Sequence, residues 1–420
     1  MKKLFLFALF AALCCSCTES GTDENTDPNG GSNSGQTTPP DPDSDAKDVI
    51  HVPKGGMLAG ILNELGLTEP SSLKLSGTLG ISDFTTLRNI QSLEHLDISR
   101  VNLSVLPTEA FLECTNIKSV ILPNTLTAIG TQAFCLSSLV SISIPASVET
   151  IEGGAFFRCT ALQTVTFEKG SKLKTIKNGS IWSGVFESCT SLTTIEIPAS
   201  VETIGYDAFF GCSSLKTVTF EKGSKLKTVE TNVFIYCTSL TSIEIPASVE
   251  EIERNAFSGC TSLQTVTFEK GSKLKTIGYF AFINCTSLTT IEIPASVETI
   301  RGGAFSDCTS LKTVTFEKGS QLLTVYGYYA HGAFSDCTAL TTVDMSACTQ
   351  VTEIGYRAFY EDSKLQLFKI GTRTPPSCGD DVFSRYINSS SVLKVPAGCV
   401  DAYKKAKGWK GFTTISELDE

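Results

Sequence analysis

The chain has few of the side chains on which most enzymes and metal sites depend. It contains 3 histidines and 2 tryptophans in 420 residues. His51, His95 and His331 lie far apart, and no H-E-x-x-H, G-x-S-x-G or phosphate-binding glycine loop occurs. Metal binding would need cysteine pairs two to four residues apart or clustered histidines, and the chain after residue 17 offers neither. The sequence therefore predicts a protein that is not an enzyme and holds no metal or cofactor.

Positive charge and long apolar runs are also scarce. The formal net charge of −10 leaves no basic face for nucleic acid or an anionic membrane. After the N-terminus no apolar run reaches the roughly 18 residues that a membrane-spanning helix needs. Apolar residues nevertheless make up 41% of the chain, which is ample for a core.

A long internal repeat dominates the sequence. Cys212, Cys260 and Cys308 are evenly spaced and mark a double unit, which Cys237 and Cys285 divide into a longer and a shorter half. Each half contains L-x-x-[VI]-x-[FI], a turn, [LV]-x-x-[IV], an Ala-Phe pair (Val-Phe in one copy) and a cysteine. Such periodicity indicates a solenoid, in which each unit buries its apolar face only against its neighbours.

The pattern within one unit predicts which side chains are buried. Ile195 and Ile197 alternate with Thr194 and Glu196, as in a half-buried strand, and Pro198 ends that strand because it cannot donate a hydrogen bond. The phenylalanines of the units are expected to stack in one internal column: Phe134, Phe156, Phe186, Phe209, Phe234, Phe257, Phe282, Phe305, Phe334 and Phe359.

These residues resemble leucine-rich repeats of the BspA-like, Treponema-type subclass, in which cysteine takes the position of the usual asparagine. The resemblance covers roughly residues 111–370. It implies an α/β-type, mostly β repeat solenoid with 23/25-residue units, short strands on one face, and turns or short helices on the other. It also implies a surface lipoprotein of Bacteroidetes that adheres to host matrix proteins, host cells or other bacteria.

The first 47 residues predict export and surface attachment. Residues 1–17 form a signal peptide with a charged start, a short apolar region and a lipobox-like end that makes Cys17 the expected lipidated residue. An ordinary cleaved signal peptide is the alternative. Residues 18–47 are polar and predict a disordered tether. Acidic residues after the anchor, Glu19, Asp23 and Glu24, resemble the surface-export signals of Bacteroidetes lipoproteins.

The rest of the chain divides into a cap, an array and a second cap. Residues 48–105 are an entry cap, with one helix on the face of Leu58 and Leu62 and another capped by Ser82 with Asp83. Residues 106–370 are the repeat array, and residues 371–420 are an atypical exit cap with a strand and a short helix. Cys378 and Cys399 in this cap could form a disulfide or remain free.

Two units are longer than the others. The spacings from Cys159 to Cys189 and from Cys308 to Cys337 both exceed the spacing from Cys212 to Cys237 by several positions. The additions precede the phenylalanine and predict loops on one side, often the binding side of repeat proteins. They contain the candidate ligand-binding residues Trp182, Tyr326, Tyr328, Tyr329 and His331. The alternative is that both loops fold back over apolar surface.

The outward residues of the strands form a second candidate surface. They are mostly threonine and serine, with Glu196, Glu244 and Glu292 at alternate units. These glutamates are the further candidate binding residues. The competing interpretation is that threonine suits strands and glutamate prevents aggregation.

The repeat cysteines and the three S-x-x-K segments are predicted to be structural. Eleven cysteines sit at or near the repeat position among apolar residues, where a thiol is a small buried group. Ser171, Ser224 and Ser272 each begin S-K-L-K in a turn, whereas serine acylases need one such serine at a helix start with partner motifs.

The sequence therefore predicts a cell-surface binding or adhesion protein, anchored to the outer membrane and facing the exterior. Its partners would be a host extracellular-matrix or cell-surface protein, or a glycan, and not nucleic acid. The alternative is a carbohydrate-binding component of an outer-membrane glycan-uptake system, suggested by the hydroxyl-rich strands and the aromatic loops.

Overall fold

The computed structural model describes residues 48–178, 183–383 and 391–419. Cys17 and the tether lie outside these residues. In the described part the chain forms a mostly β solenoid, as expected, in which every unit begins with a short strand. The strand residues alternate between buried and exposed, as in β11 (Thr194–Ile197), where Ile195 and Ile197 are buried and Thr194 and Glu196 are exposed.

The first strands of the units pair in parallel and define the strand face. They form a ten-stranded and a six-stranded sheet, with neighbouring units in register, so that Ile195 pairs with Val218 and Glu196 with Thr219. The ten strands are β1 (Val49–Val52), β2 (Ser72–Gly77), β3 (His95–Val101), β5 (Ser119–Ile121), β7 (Ser141–Ile144), β9 (Thr164–Phe167), β11 (Thr194–Ile197), β13 (Thr217–Phe220), β15 (Ser242–Ile245) and β17 (Thr265–Phe268). The six are β19 (Thr290–Ile293), β21 (Thr313–Phe316), β25 (Thr342–Met345), β27 (Leu367–Ile370), β29 (Val392–Val395) and β30 (Thr414–Glu417).

A two-residue strand follows the first turn of each unit and adds two more parallel sheets. One contains β4 (Val105–Leu106), β6 (Ala128–Ile129), β8 (Thr150–Ile151), β10 (Thr175–Ile176) and β12 (Thr203–Ile204). The other contains β14 (Thr228–Val229), β16 (Glu251–Ile252), β18 (Thr276–Ile277), β20 (Thr299–Ile300), β22 (Thr324–Val325), β26 (Glu353–Ile354) and β28 (Ser377–Cys378). The remaining strands, β23 (Gly327–Tyr328) and β24 (His331–Gly332), form an antiparallel hairpin.

The Ala-Phe segment of each unit is a turn that bonds to the next unit. The Phe134 N–H donates to the Ala155 carbonyl at 2.7 Å, and the Leu136 N–H donates to the Phe157 carbonyl at 2.8 Å. Leu136 has a left-handed φ of 58°, and the same position is left-handed in many other units. The resemblance allowed turns or short helices on this side, and the described residues of the array form turns. We call this surface the turn side.

The predicted phenylalanine column is confirmed. Successive rings from Phe111 to Phe359 lie 5.0 to 5.3 Å apart and within 15° of parallel. The column starts one unit earlier than the repeat pattern indicated, at Phe111. Phe84 closes it edge-on at 5.5 Å, and Phe383 continues it beyond Phe359 at 5.9 Å.

The repeat thiols are buried and form a second ladder. In eight units the cysteine Sγ donates to the carbonyl of the phenylalanine one unit back, at distances between 2.8 and 3.3 Å. This bond explains why cysteine can take the place of asparagine. In most units this cysteine stands three residues after the phenylalanine. In two units another residue takes its place: Ser137 and Asp362. Cys135 and Cys348 are buried elsewhere.

The caps contain the helices. α1 (Leu58–Glu64) and α2 (Ile81–Asn89) lie at the start, and α3 (Val400–Lys405) and a 3₁₀ turn (Trp409–Gly411) lie at the end. The Ser82 cap was wrong, because Gly80 is the N-cap and Asp83 accepts its N–H at 2.7 Å. Within the described ranges no helix has the length and apolar character needed to cross a membrane.

Candidate functional site

The second long unit forms a tyrosine hairpin on the turn side. Tyr328 pairs with His331 across β23 and β24, and Tyr329 at the tip has a left-handed φ of 49°. Tyr329 is 81% exposed and Tyr326 is 38% exposed, so the hairpin presents two aromatic rings to solvent. Among the large hydrophobic side chains, only exposed Ile81 approaches the exposure of Tyr329 in the described part of the chain.

The hairpin folds back across the preceding unit. The Tyr328 ring lies 4.7 Å from Tyr279 and 5.9 Å from Phe280, and the His331 ring lies 5.5 Å from Phe280. The sequence left open whether the loop would bind a ligand or cover apolar surface. In the structure Tyr328 covers its neighbours and is half-buried, whereas Tyr329 stays exposed.

Two glycines make this fold-back possible, and the repeat pattern did not single them out. A Cβ at Gly302 would lie 2.4 Å from the Tyr328 nitrogen, and a Cβ at Gly303 would lie 2.3 Å from the Phe280 ring. Gly153 and Gly154 stand at the same point one unit before the first long unit. A Cβ at Gly154 would lie 2.8 Å from Ser183 Oγ. A Gly-Gly pair one unit upstream is thus the sequence signal for such a loop.

Guanidinium groups stack on the aromatic rings around the hairpin. Arg301 lies 5.2 Å above the Tyr279 ring, and Arg254 lies 5.5 Å above Phe280. Arg357 lies 5.1 Å from Tyr356. These three arginines form no ion pair with another described residue. Cation–π contacts are therefore the main interactions of their guanidinium groups in the described part of the chain.

A buried serine network anchors the base of the hairpin. Ser306 Oγ lies 3.3 Å from His331 Nδ1, 3.0 Å from Asp307 Oδ2 and 3.1 Å from Ser335 Oγ. The combination resembles a nucleophilic triad in composition, but Ser306 is 0% exposed and no substrate could reach it. Burial, and then the charge of Asp307, raises the pKa of the neighbouring Asp336.

Trp182 lies outside the described residues, but the end of its loop is visible. Glu187 accepts the Gly184 N–H at 2.9 Å. Burial, followed by the nearby charge of Asp207, raises the pKa of Glu187 to about 7. The Glu187 carboxyl therefore fixes the end of the first long loop by accepting the Gly184 N–H. The same carboxyl is partly shielded from water.

The candidate glutamates lie on the strand face and not at the hairpin. Glu196, Glu244 and Glu292 are exposed and form no ion pair or hydrogen bond with described residues. Exposed glutamates elsewhere do have partners, such as Glu250 with Lys227 at 2.9 Å. The structure therefore separates the sequence-predicted residues into two surfaces.

The repeat cysteines are unsuited to chemistry. Burial raises the pKa of Cys212 and of Cys260 to about 12. No group of three or more potential metal ligands occurs within the described ranges. Cys378 and Cys399 are free thiols, so the possible disulfide is not formed. The serines of the S-K-L-K segments accept a backbone N–H two residues later, as in Ser224 with Leu226 at 3.3 Å, which is a turn contact.

Comparison with known proteins identifies the class. The family model described as BspA type Leucine rich repeat region matches in six copies, over residues 81–183, 179–312, 227–366 and 328–397. The chain belongs to this leucine-rich repeat family. Solenoids of this kind typically provide extended binding surfaces.

A solved leucine-rich repeat structure shows the same fold. A leucine-rich repeat protein from Bacteroides ovatus is 23% identical with a TM-score of 0.59, over 83% of this chain and 87% of that one. The pneumococcal vaccine antigen PcpA is 20% identical with a TM-score of 0.43, over 84% and 80%. A leucine rich cell surface protein from Faecalibacterium prausnitzii is 23% identical with a TM-score of 0.40, over 76% and 84%. No curated protein matches the chain.

Proposed function

We propose that this protein is an exported surface protein that binds host proteins or other cells through its solenoid and performs no catalysis. The observation that supports this best is the tyrosine hairpin. Tyr329 is 81% exposed, yet its ring lies 4.5 Å from the half-buried Tyr328. Rings supported in this way provide contact area at low entropic cost, and tyrosine and tryptophan are enriched in binding hot spots.

Attachment to the outer surface of the outer membrane is part of the proposal. It rests on the lipobox-like end of the signal peptide, with Cys17 lipidated, and on the polar stretch of residues 18–47. Metabolic labelling with a fatty acid should mark the protein, and Cys17→Ala should abolish the label. Continued labelling of Cys17→Ala would move the anchor to Cys14 or Cys15.

The binding site is tested with a panel of matrix proteins, host cells and glycans. Tyr329→Ala combined with Tyr328→Ala and Trp182→Ala should abolish capture, because these changes remove the tryptophan of the first long unit and the paired tyrosines of the second. Tyr236→Ala is the matched control, since Tyr236 is a 47% exposed tyrosine on the turn side of a regular unit. Full capture by the triple variant, with unchanged melting, would refute the hairpin as the site.

Glycan binding within an uptake system is the second candidate function. The stacked Arg301 and Tyr279 favour it, because aromatic faces and guanidinium groups together suit carboxylated sugars. Neighbouring genes for sugar import and glycoside hydrolysis would support it. Capture of matrix proteins but no glycan from the panel would exclude it.

A further inference from the structure

The centre of the strand face has three carboxylates without partners. Glu196, Glu244 and Glu292 are exposed and lie on β11, β15 and β19. At the far end of the same face the charges neutralise one another, since Lys369 pairs with Asp344 at 2.8 Å and Lys394 pairs with Asp419. The outward carboxylates without a partner therefore lie in the middle of the strand face.

The strand ends beside this row add no net charge. Glu221 is followed directly by Lys222, and Glu269 is followed directly by Lys270. The carboxylate of Glu221 is also engaged, because it accepts the Ala199 N–H at 2.9 Å. The exposed Lys216 precedes β13, but the three outward glutamates outnumber it, so the row is net negative and a cationic partner would complement it.

The spacing of the row is regular. Glu196 pairs in register with Thr219, and Glu244 pairs in register with Thr267, so one threonine-bearing strand separates successive glutamates. Paired parallel strands lie about 4.8 Å apart, which places Glu196 and Glu244 on strands about 9.6 Å apart. The next step, to Glu292, crosses from β17 to β19, which belong to different sheets, but the rings of those two units, Phe282 and Phe305, keep the column spacing at 5.1 Å. The glutamates are therefore spread along the solenoid rather than clustered.

This spacing distinguishes between regular peptide conformations. A polyproline II chain rises about 3.1 Å per residue with three residues per turn, so the same side faces the sheet every 9.3 Å or so. A β-strand repeats its facing side at about 6.7 Å, and an α-helix returns to the same side after seven residues, at about 10.5 Å. Polyproline II fits the row best, since its mismatch of about 0.3 Å per step amounts to only about 0.6 Å over three glutamates.

The rows of hydroxyls beside the glutamates suit the same partner. Thr194, Thr217, Ser242, Thr265 and Thr290 are exposed at the start of the strands, and Thr219 and Thr267 stand between the acids. A polyproline II chain forms no internal hydrogen bonds, so its carbonyl groups need donors from outside. Hydroxyls along the face can supply them.

We infer that the strand face from β11 to β19 binds a proline-rich polypeptide segment in the polyproline II conformation, with lysine or arginine at every third residue. The segment lies across the strands, and each cation pairs with one of Glu196, Glu244 and Glu292. This inference rests on the proposed binding function of the solenoid but not on the tyrosine hairpin.

Fluorescence anisotropy with defined peptides tests the inference on the full chain. A labelled peptide of repeated Arg-Pro-Pro should bind, and added salt should weaken it. The change of all three glutamates to glutamine should weaken binding about tenfold or more, since each exposed ion pair contributes a small, cumulative amount. The matched control is the triple change Glu149→Gln, Glu250→Gln and Glu298→Gln, which removes the same charge from lysine-paired glutamates and should have little effect.

Three results would overturn the inference. Equal loss in both triple variants would show a net-charge effect only. If a peptide of the same composition with irregularly spaced arginines bound as tightly as the Arg-Pro-Pro peptide, that result would show that the spacing of the glutamates does not select the partner. Tighter binding of a helical peptide with arginine at every seventh residue would assign the face to a helix. Tyr329→Ala should leave the peptide affinity unchanged, so failure here and failure of the hairpin site are separate outcomes.

Discussion

The regular unit from Cys237 to Cys260 and the long unit from Cys308 to Cys337 have the same core and different surfaces. The Phe234 and Phe257 rings are 5.2 Å apart, and the Phe305 and Phe334 rings are 5.1 Å apart. Cys260 and Cys337 donate to the phenylalanine carbonyl at 3.1 and 3.2 Å. The extra residues enter at a single point before the Ala-Phe turn. The core therefore tolerates surface variation wherever the ring stack and the thiol ladder are kept.

Removing one ring should affect the core most. Phe257→Ala should lower the free energy of unfolding by about 3–5 kcal/mol, because it leaves a cavity between two parallel rings. Hydrogen exchange should rise first in the units on either side. Phe210→Ala makes the same change at a half-buried position on the turn side and should cost clearly less. A small, uniform rise in exchange across the array would contradict the stacking.

Converting the irregular Asp362 unit to a regular one should stabilise the protein at neutral pH. Asp362 is 4% exposed, its Oδ1 accepts the Cys337 N–H at 2.9 Å, and its Oδ2 has no partner. Burial, opposed by that hydrogen bond, holds its pKa well above the ordinary value. Asp362→Cys removes the unsatisfied carboxyl oxygen and should stabilise the protein by at most roughly 1–3 kcal/mol, because the Cys337 N–H loses its acceptor at the same time.

The gain should depend on pH in a definite direction. Because the folded-state pKa of Asp362 exceeds the unfolded value near 3.8, the folded state holds its proton more tightly. Its contribution is complete below that unfolded value and is lost as pH rises towards the folded-state pKa. Urea unfolding from pH 4 to 8 should therefore show the advantage of Asp362→Cys growing with pH. A constant difference would mean that Asp362 does not titrate in this range.

Blocking the fold-back should disturb the long unit alone. Gly302→Ala places a methyl group 2.4 Å from the Tyr328 nitrogen, and such overpacking should cost about 1–3 kcal/mol. Exchange of the hairpin amides should rise while Phe234 and Phe257 stay protected. Gly60→Ala is the control, since no atom lies within 4 Å of its Cβ in α1, and it should be neutral or stabilising. An unchanged hairpin in Gly302→Ala would show that the glycine is not required.

Removing a surface ion pair should have the smallest effect. Lys227→Ala should leave the melting temperature unchanged within error, because the Lys227 and Glu250 side chains are 59% and 53% exposed. Lys369→Ala should be more costly, since the Lys369 and Asp344 side chains are only 28% and 25% exposed. Equal melting of both variants would show that burial does not strengthen these pairs.

Periodicity predicted the core because every core contact repeats. The alternation seen at Thr194–Ile197 recurs from unit to unit, and so does the Ala-Phe pair. The position of one phenylalanine in a unit therefore predicts the whole ring column. Phe111 was missed because its unit departs from the consensus before the phenylalanine. The number of cysteines does not reveal Asp362, because this residue takes the repeat position only when the units are aligned on the phenylalanine three residues before it.

The hairpin was only partly predictable. Its length and aromatic content identified it, but the direction in which it folds depends on Tyr279, Phe280 and the small residues at Gly302 and Gly303. These lie two units and one unit upstream, so no local pattern in Tyr326–Gly332 contains the information. The Cys378 and Cys399 alternatives were likewise undecidable from the sequence, since the spacing of these two cysteines along the chain fits either outcome.

The uniform junction between units has a genetic consequence. The step from Phe209 to Phe234 is as long as the step from Phe257 to Phe282. Deletion of residues 212–259 would therefore join two surfaces that already match, and duplication of the same block would add one more compatible pair. A change of length by whole double units would therefore leave no mismatched junction in the core. Each added block would extend the row of outward glutamates by one member at the same spacing, and alleles of different length would differ in reach rather than in chemistry.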